Sequence, residues 1–373
     1  MKIDEFLLEK YLKKYEFSAP CLLCTSDCQS LTAGELLKIC GKSGDDLSDV
    51  WLGYTQTKGS PSLRKAISSL YTSVNPDEII TFSGAEEGIF VFMNAALNPG
   101  DHIIVLTPCY QSLYEIANAI GCRITQWRMN EENGWRPDLN ELRESIRDNT
   151  AAIIINTPHN PTGFNFSKEE FLEIIEIASE NSLYLFSDEV YRELEYDKKD
   201  RLPAAADEYS KGVSLGVMSK AYGLAGLRIG WIAVKDKELM QGIECFKDYI
   251  SICQSAPSEY LSEIALLNRE KLLKRNLSII SENLSVLDEF FLKYSEILEW
   301  VRPVSSSVGF VRIKTGEEAL LFCLDAIEKA GVLLIPSTVF GYSNTHFRIG
   351  FARKDMSDAL LRFSDYLDKK YKL

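Results

Sequence analysis

The sequence of 373 residues has only three histidines and little positive charge. Three histidines leave little room for a histidine-based catalytic triad or zinc site. The net charge of −13 argues against nucleic acid as a partner, because contacts to phosphates need clustered lysine and arginine. No uncharged apolar run approaches the roughly 20 residues that a helix needs to cross a bilayer, so we expect no membrane span.

The nine cysteines are an odd number and are scattered along the chain. This usage is typical of reduced thiols. The N-terminus also lacks the apolar block of a signal peptide. Together, the cysteine usage and the N-terminus predict a cytoplasmic protein. The cluster of Cys21, Cys24, Cys28 and Cys40 has no second CxxC pair and no nearby histidine. We therefore expect core or loop cysteines there and no metal site.

Short apolar runs alternate with amphipathic helical segments from Tyr54 to about Pro257. Such an alternation predicts an α/β fold, in which a mainly parallel sheet is covered by helices in three αβα layers. Ser167 followed by Glu170 is the signature of a capping box at the start of one of these helices. The predicted strands are Glu78–Phe82, Ile103–Leu106, Arg123–Trp127, Ala151–Asn156, Tyr184–Ser187, Val213–Met218 and Ile229–Val234.

The pattern changes after Pro257, where helical spacing continues from Glu259 to Tyr294 and predicts one long helix. Strands at Gly309–Ile313 and His346–Phe351 then alternate with helices, which indicates a smaller α+β domain. The N-terminal segment is too short to fold alone. We expect a large domain of residues 45–258 and a small domain that combines residues 1–44 with residues 259–373.

Polar residues follow several of the predicted strands. In parallel α/β sheets, ligands bind in the loops at the carboxyl ends of the strands. These loops therefore predict one crevice that contains a lysine, an acid, an aromatic side chain and an anion-binding turn. The loop residues are Ser83-Gly84-Ala85, Pro108-Cys109-Tyr110, Asn156 to Gly163, Asp188 to Tyr191, and Ser219-Lys220.

The run SKAYGLAGLRIGW, Ser219 to Trp231, resembles the lysine signature of the class I/II aminotransferases. These are fold-type I enzymes that depend on pyridoxal 5′-phosphate (PLP). Asn160–Gly163 and Asp188–Tyr191 resemble the two upstream motifs of that family, in the same order. Phe347–Phe351 resembles its carboxylate-binding strand. The NPTG motif alone would be weak, but the ordered set covers most of the chain and is specific.

The resemblance implies that PLP is the cofactor and that Lys220 holds it as a Schiff base and later moves the α-proton of the substrate. Asp188 would keep the pyridine nitrogen protonated, which makes the ring an electron sink. Asn160 and Tyr191 would hydrogen-bond the phenolic oxygen of the ring. Tyr110 would stack on the face of the ring. Lys220, Asp188 and Tyr191 are thus the expected catalytic residues.

The resemblance also implies a site for the cofactor phosphate. Ser83-Gly84-Ala85 precedes a helix, where free backbone N–H groups favour an anion. Arg228 offers a planar cationic fork to the phosphate. Ser219 and Tyr54 of the partner subunit would complete the site, so we expect a homodimer. Val217 stands where the family often has a hydroxyl, which leaves one phosphate hydrogen bond missing or replaced by water.

Arg348, by resemblance, binds the α-carboxylate of the substrate, and Asn160 also belongs to the expected substrate site. Enzymes specific for dicarboxylates carry a second arginine before the long helix, but residues 248–255 contain none. A distal carboxylate would stay unpaired there, so aspartate is disfavoured. Asp27, in the N-terminal loop, would suit a cationic or hydroxylated side chain, although a surface turn explains it equally well.

Transamination between an amino acid and a 2-oxo acid is the leading functional hypothesis. The alternative is PLP-dependent elimination or cyclisation of a modified, cationic amino acid. Three segments favour elimination or cyclisation, because they are similar to segments of the capreomycidine synthases. These segments are Leu224–Arg228, Pro108–Leu113 and Lys247–Tyr249. A non-catalytic PLP-binding regulator would carry an attached DNA-binding domain, for which the chain has neither the length nor the positive charge.

Overall fold

The computed structural model describes residues 2–373, which form 14 strands and 14 α-helices. The strands are β1 (Cys21–Leu22), β2 (Ile79–Phe82), β3 (His102–Thr107), β4 (Arg123–Asn130), β5 (Arg136–Pro137), β6 (Thr150–Asn156), β7 (Tyr184–Asp188), β8 (Gly212–Val217), β9 (Gly230–Val234), β10 (Leu298–Trp300), β11 (Val308–Ile313), β12 (Val332–Leu333), β13 (Ile335–Pro336) and β14 (His346–Gly350). The helices are α1 (Leu7–Tyr15), α2 (Ala33–Ile39), α3 (Gly44–Ser48), α4 (Pro61–Ser68), α5 (Ala85–Ala96), α6 (Ser112–Ile120), α7 (Leu139–Glu144), α8 (Lys168–Glu180), α9 (Ala205–Glu208), α10 (Lys237–Asp248), α11 (Ala256–Leu267), α12 (Arg269–Lys293), α13 (Ala319–Ala330) and α14 (Met356–Tyr371). Among the residues described, no helix is long and apolar enough to span a bilayer.

The largest sheet has eight strands in the order β2-β9-β8-β7-β6-β3-β4-β5. Its five central strands, from β8 to β4, are parallel, whereas β9 is antiparallel to both of its neighbours and β5 is antiparallel to β4. The mainly parallel sheet predicted from the sequence is therefore confirmed. The carboxyl ends of β2, β3, β6, β7 and β8 lie at the same edge.

Helices cover both faces of this sheet, as the apolar strands require. Successive residues of a strand alternate between two buried clusters. Ile103 and Ile154 belong to the cluster that includes α5, α6 and α10, whereas Ile104 and Ile153 pack with α7 and α8. The three-layer αβα architecture is thus confirmed. The capping box at α8 is also present, because the backbone N–H of Glu170 donates to the Ser167 hydroxyl at 3.2 Å.

A second sheet has four antiparallel strands in the order β10-β11-β14-β13. β1 pairs with β12, so the N-terminal segment lies beside the C-terminal part of the chain. The boundaries at residues 44/45 and 258/259 stay a prediction. The second boundary falls inside helix α11, which packs against α4 of the expected large domain.

The single helix predicted for residues 259–294 is wrong. The chain forms two helices, α11 and α12, which are separated at Asn268. The backbone of Asn268 leaves the helical region, with φ −114° and ψ 19°, and its side-chain amide donates to the carbonyl of Ile264 at 3.0 Å. Asparagine side chains compete in this way for backbone groups, and such competition interrupts a helix.

Candidate active site

The predicted site residues lie where neighbouring strands of the large sheet end. Asn156 and Asp188 are the last residues of β6 and β7 and pair directly across the sheet. Lys220 follows β8, the next strand. The crevice is closed from the other side by β14, which carries Arg348, and by the N-terminal segment. The side chains that the sequence places far apart therefore meet at one edge.

The amine of Lys220 lies at the centre of this crevice. Its Nζ donates to the Ser26 hydroxyl at 2.8 Å and lies 5.8 Å from the centroid of the Tyr191 ring. Lys220 is half-buried. An amine in this position is accessible to a small ligand and is held by a single neutral hydroxyl.

Asp188 is the buried acid of the site. Its carboxylate accepts a hydrogen bond from the backbone N–H of Val190 at 3.2 Å. Its backbone carbonyl accepts from the Asn156 amide at 2.9 Å, which fixes the end of β7. Burial raises the pKa of Asp188 to about 7, although the Val190 N–H and the charge of Lys220 act in the opposite direction. A carboxyl group in this state is suited to share a proton with a buried basic nitrogen.

Arg348 is a buried cation without an acidic partner. Its guanidinium donates to Asn160 Oδ1 at 3.0 Å and to the carbonyl of Cys24 at 2.9 Å, and it lies 5.2 Å from the Phe340 ring centroid. Its Nε has no hydrogen-bond partner, and no carboxylate lies within 4.0 Å among residues 2–373. Burial lowers the pKa of Arg348. A buried cation is costly unless it is paired, so this position favours an anionic ligand.

Two tyrosines line the crevice between the lysine and the arginine. Tyr191 is buried, and its hydroxyl has no hydrogen-bond partner in the part of the chain that is described. A buried orphan hydroxyl calls for a ligand or a water molecule. Tyr110 is half-buried, and its ring packs edge-on against Phe6 at 5.0 Å between centroids. Phe6 thus brings the N-terminal segment over the crevice.

The turn of Ser83, Gly84 and Ala85 leads into α5, with Gly84 at φ +90°. Arg228 Nη2 donates to the carbonyl of Ser83 at 3.3 Å. A Cβ on Gly84 would lie 2.4 Å from the same Nη2, so glycine is needed for this close approach. Arg228 itself has φ 53°, a conformation that is uncommon for a residue with a side chain and typical of functional sites.

The other residues predicted for the phosphate differ in exposure. Ser219 is buried beside Lys220, and Val217 is buried with no hydroxyl to offer. Tyr54 is 85% exposed, so it does not reach into the crevice of its own chain. Its part in the site of a second subunit stays a prediction.

Asp27 has a different partner from the one that the sequence suggested. Its two carboxylate oxygens accept from Arg353 Nη2 at 3.1 and 2.9 Å. The negative charge of Asp27 is therefore already balanced by Arg353, which makes Asp27 less available to a cationic substrate. The two residues are 326 positions apart, so the pairing could not be anticipated from the N-terminal loop alone.

Sequence reasoning gave no role to three further residues around the crevice. Ser26 contacts Lys220, Phe6 contacts Tyr110, and Gln254 accepts a hydrogen bond from the Ser83 hydroxyl at 2.9 Å. Ser26 adjoins the expected Asp27, which is the only signal that could have found it. Nothing in the local sequence marks Gln254, because it meets Ser83 across 171 positions.

Comparison with known proteins places this geometry in a family. The sequence profile described as "Aminotransferase class I and II" matches residues 23–362. The solved structure of a PLP-dependent aminotransferase from Streptococcus suis is 34% identical, with a TM-score of 0.93 over 99% of both chains. Capreomycidine synthase from Streptomyces vinaceus is 27% identical over 96% of this chain and 93% of its own. Aspartate aminotransferase from Sulfurisphaera tokodaii is 28% identical over 86% of this chain and 84% of its own.

Proposed function

The chain belongs to the class I and II aminotransferases, and from this premise we propose that the crevice around Lys220 acts on amino acids without a second carboxylate. The protein is a PLP-dependent transaminase, which moves an amino group from an amino acid to a 2-oxo acid. The observation that supports this function most strongly is that three groups lie in one crevice: a lysine amine without an acidic partner, a buried acid and a buried arginine without an acidic partner.

The residues of the crevice fit PLP. Asp188 is a buried acid that would pair with the ring nitrogen, and Tyr191 has an unpartnered hydroxyl that would donate to the phenolic oxygen. The turn at Gly84 and the guanidinium of Arg228 would hold the phosphate. When bound, PLP supplies an electron-withdrawing ring that acidifies the α-carbon of an amino acid.

Each protein residue has a distinct task in the proposed reaction. Arg348 binds the α-carboxylate through its planar fork, with Asn160 fixing the orientation of that fork. The substrate is then held so that its Cα–H bond faces Nζ of Lys220, which accepts the proton as a general base. Asp188 would hold a proton for the ring nitrogen, because burial raises the pKa of its carboxyl group.

The substrate class follows from the charges near the crevice. Residues 248–255, which include Gln254 beside Ser83, contain no arginine or lysine. A distal carboxylate in that region would be desolvated without a partner, at a cost of several kcal/mol. We therefore propose a donor with a neutral or extended polar side chain instead of aspartate or glutamate.

A half-reaction screen tests this function. Single amino acids are added to the PLP form without an acceptor, and the absorbance spectrum and the 2-oxo acid are measured. We expect one equivalent of oxo acid per site from monocarboxylic donors, with aspartate and glutamate much slower. Lys220→Ala should abolish the reaction, whereas Lys237→Ala, an exposed lysine on α10, should not.

Reduction with borohydride should attach the cofactor to Lys220, and an adduct on another lysine would overturn the assignment.

A second candidate is elimination or cyclisation of a modified amino acid. The similarity to capreomycidine synthase from Streptomyces vinaceus, which extends over 96% of this chain, favours it. The same screen separates the two reactions. Multiple turnovers without an acceptor, with release of ammonia or of a cyclised product, would favour the second candidate over transamination.

A further inference from the structure

A buried glutamine lies next to the turn that we propose for the cofactor phosphate. Gln254, between α10 and α11, is 5% exposed. Its Oε1 accepts from the Ser83 hydroxyl at 2.9 Å. Its Nε2 donates weakly to the Ser251 hydroxyl at 3.4 Å and makes no other hydrogen bond among residues 2–373. One N–H of a buried amide is therefore left to satisfy, which calls for an acceptor from outside the chain.

The surrounding residues favour an anion as that acceptor. Ser83 opens the turn into α5, whose first N–H groups are free, and Arg228 lies against the same turn. The turn is nevertheless short of side-chain donors. Val217 carries no hydroxyl, so a phosphate bound here would lack one side-chain hydrogen bond.

Either orientation of the amide supplies a donor. In the orientation described, the Ser83 hydroxyl donates to Oε1 and an N–H of Gln254 stays free for the anion. If the amide is turned by 180°, its N–H donates to Ser83 Oγ and the hydroxyl of Ser83 is free to donate instead. In either orientation the pair of Gln254 and Ser83 therefore presents one donor to the anion, and the buried amide fixes the position of that donor.

Gln254 is also held rigidly in place. Its backbone carbonyl accepts from the Thr55 hydroxyl at 3.1 Å, and the same hydroxyl lies 3.2 Å from Glu259 Oε1. Glu259 Oε2 in turn accepts from the backbone N–H of Ser60 at 3.1 Å. These contacts join the loop before α11 to the segment before α4. A donor fixed in this way needs little ordering when the anion binds.

We propose that Gln254 is a binding residue for the phosphate of PLP, either through its own N–H or through the Ser83 hydroxyl that it orients. The inference deepens the proposed function and rests on it, because it concerns the same crevice. It also gives the crevice a means of selecting the phosphorylated cofactor over pyridoxal. Pyridoxal forms the same bond to Lys220 but lacks the phosphate.

The experiment compares dissociation constants of PLP and pyridoxal for the apoenzyme, measured from the absorbance of the lysine adduct. Gln254→Glu keeps the shape of the side chain, removes the donor and adds a negative charge. We expect it to weaken PLP about 30- to 100-fold and pyridoxal less than about twofold. Gln254→Ala should weaken PLP about tenfold. Gln241→Glu, an exposed position on α10, controls for the added charge and should leave both constants unchanged.

Each outcome decides the question. Selective loss of PLP affinity in both Gln254 variants supports the proposal. Unchanged PLP affinity, or an equal loss for PLP and pyridoxal, overturns it, because Gln254 would then be irrelevant or purely structural. Retained pyridoxal binding shows that a variant is folded. If the unmodified protein binds neither compound at Lys220, the proposed function fails instead of the inference.

Discussion

Burial governs the ionisation of single residues around the crevice. It raises the pKa of Asp188 to about 7 and lowers that of His159 to about 3. His159 is therefore a neutral residue, and its Nδ1 lies 2.8 Å from the Thr162 hydroxyl, where it supports the NPTG turn. Neither effect depends on a bound ligand. The buried acid thus titrates near neutrality, whereas the buried histidine does not.

Asp188 should make the stability of the apoenzyme depend on pH. The folded-state pKa of about 7 lies above the ordinary value of 3.8, so the folded chain retains a proton that the unfolded chain releases. Stability therefore falls as the pH rises from about 4 to about 7, by at most about 4 kcal/mol at about 1.4 kcal/mol per pKa unit. Asp188→Asn should remove this dependence. Urea unfolding of both apoenzymes at pH 4.5 and 7.5 measures it, and a difference independent of pH would contradict it.

Arg348→Ala should weaken the binding of every amino donor alike. Loss of the charge-assisted fork costs about 2–5 kcal/mol when the substrate carboxylate stays buried. PLP should stay bound, because Arg348 makes no hydrogen bond to the phosphate turn. Steady-state kinetics with several donors and a PLP titration provide the measurements. Arg302→Ala, whose arginine pairs with Asp288 on the surface, is the control. If Arg348→Ala weakened the binding of some amino donors and not of others, Arg348 would contact the side chain of the donor instead of its α-carboxylate.

Among the elements, α8 shows how local sequence fixes the start of a helix. Ser167 and Glu170 cap each other reciprocally, and the apolar residues of α8 face the sheet. The break between α11 and α12 shows the opposite case. The helical spacing of apolar residues continues through Asn268, but the backbone of Asn268 is not helical. Periodicity reports which face is buried, but a single side chain that bonds to the backbone can divide the element.

Ser167→Ala should lower the free energy of unfolding by about 1 kcal/mol. The Ser167 hydroxyl accepts from the N–H of Glu170, which would otherwise be an unsatisfied donor at the helix start. PLP affinity should stay the same, since α8 packs on the sheet face away from α5. Ser285→Ala, on the exposed side of α12, provides a serine control without a cap. Equal stability of the Ser167 variant and the unmodified protein in urea unfolding would refute the role of the cap.

At the scale of the whole molecule, an exposed apolar patch suggests a second subunit. The patch consists of Trp51, Leu52, Tyr54 and Tyr249, each at least 77% exposed. Its two segments touch, because the Thr57 hydroxyl donates to Asp248 at 3.3 Å. Large apolar side chains clustered on a surface mark a protein interface. The patch continues into the loop of Gln254, so an interface there would adjoin the phosphate turn.

We expect the protein to sediment as a homodimer, with this patch at the two-fold interface. Leu52→Asp should shift it to a monomer and weaken PLP retention, because a charge would be buried without a partner. Tyr54→Phe should remain a dimer and weaken PLP about tenfold through the lost phosphate hydrogen bond. Leu292→Asp, an equally exposed leucine on α12, is the control. An active monomer in sedimentation at assay concentration would mean that Tyr54 serves no neighbouring site.

The sequence alone determined the fold class and nine of the fourteen strands, but it missed the short strands β1, β5, β10, β12 and β13. Apolar strands and amphipathic helices have different periods, so local patterns suffice for this. The roles of Lys220, Asp188 and Arg348 stay predictions, which the resemblance of the ordered motifs implies without any distance. The capping box at Ser167 is likewise a local signal.

Only the tertiary structure decided which side chains are paired. Asp27 meets Arg353, Ser26 meets Lys220, and Gln254 meets Ser83, in each case across more than 170 positions. No periodic pattern encodes such contacts, since they depend on how two sheets and their loops pack. The same packing exposes Tyr54 and leaves Arg348 without an acid. The tertiary structure thus determined which groups remain free to bind a ligand.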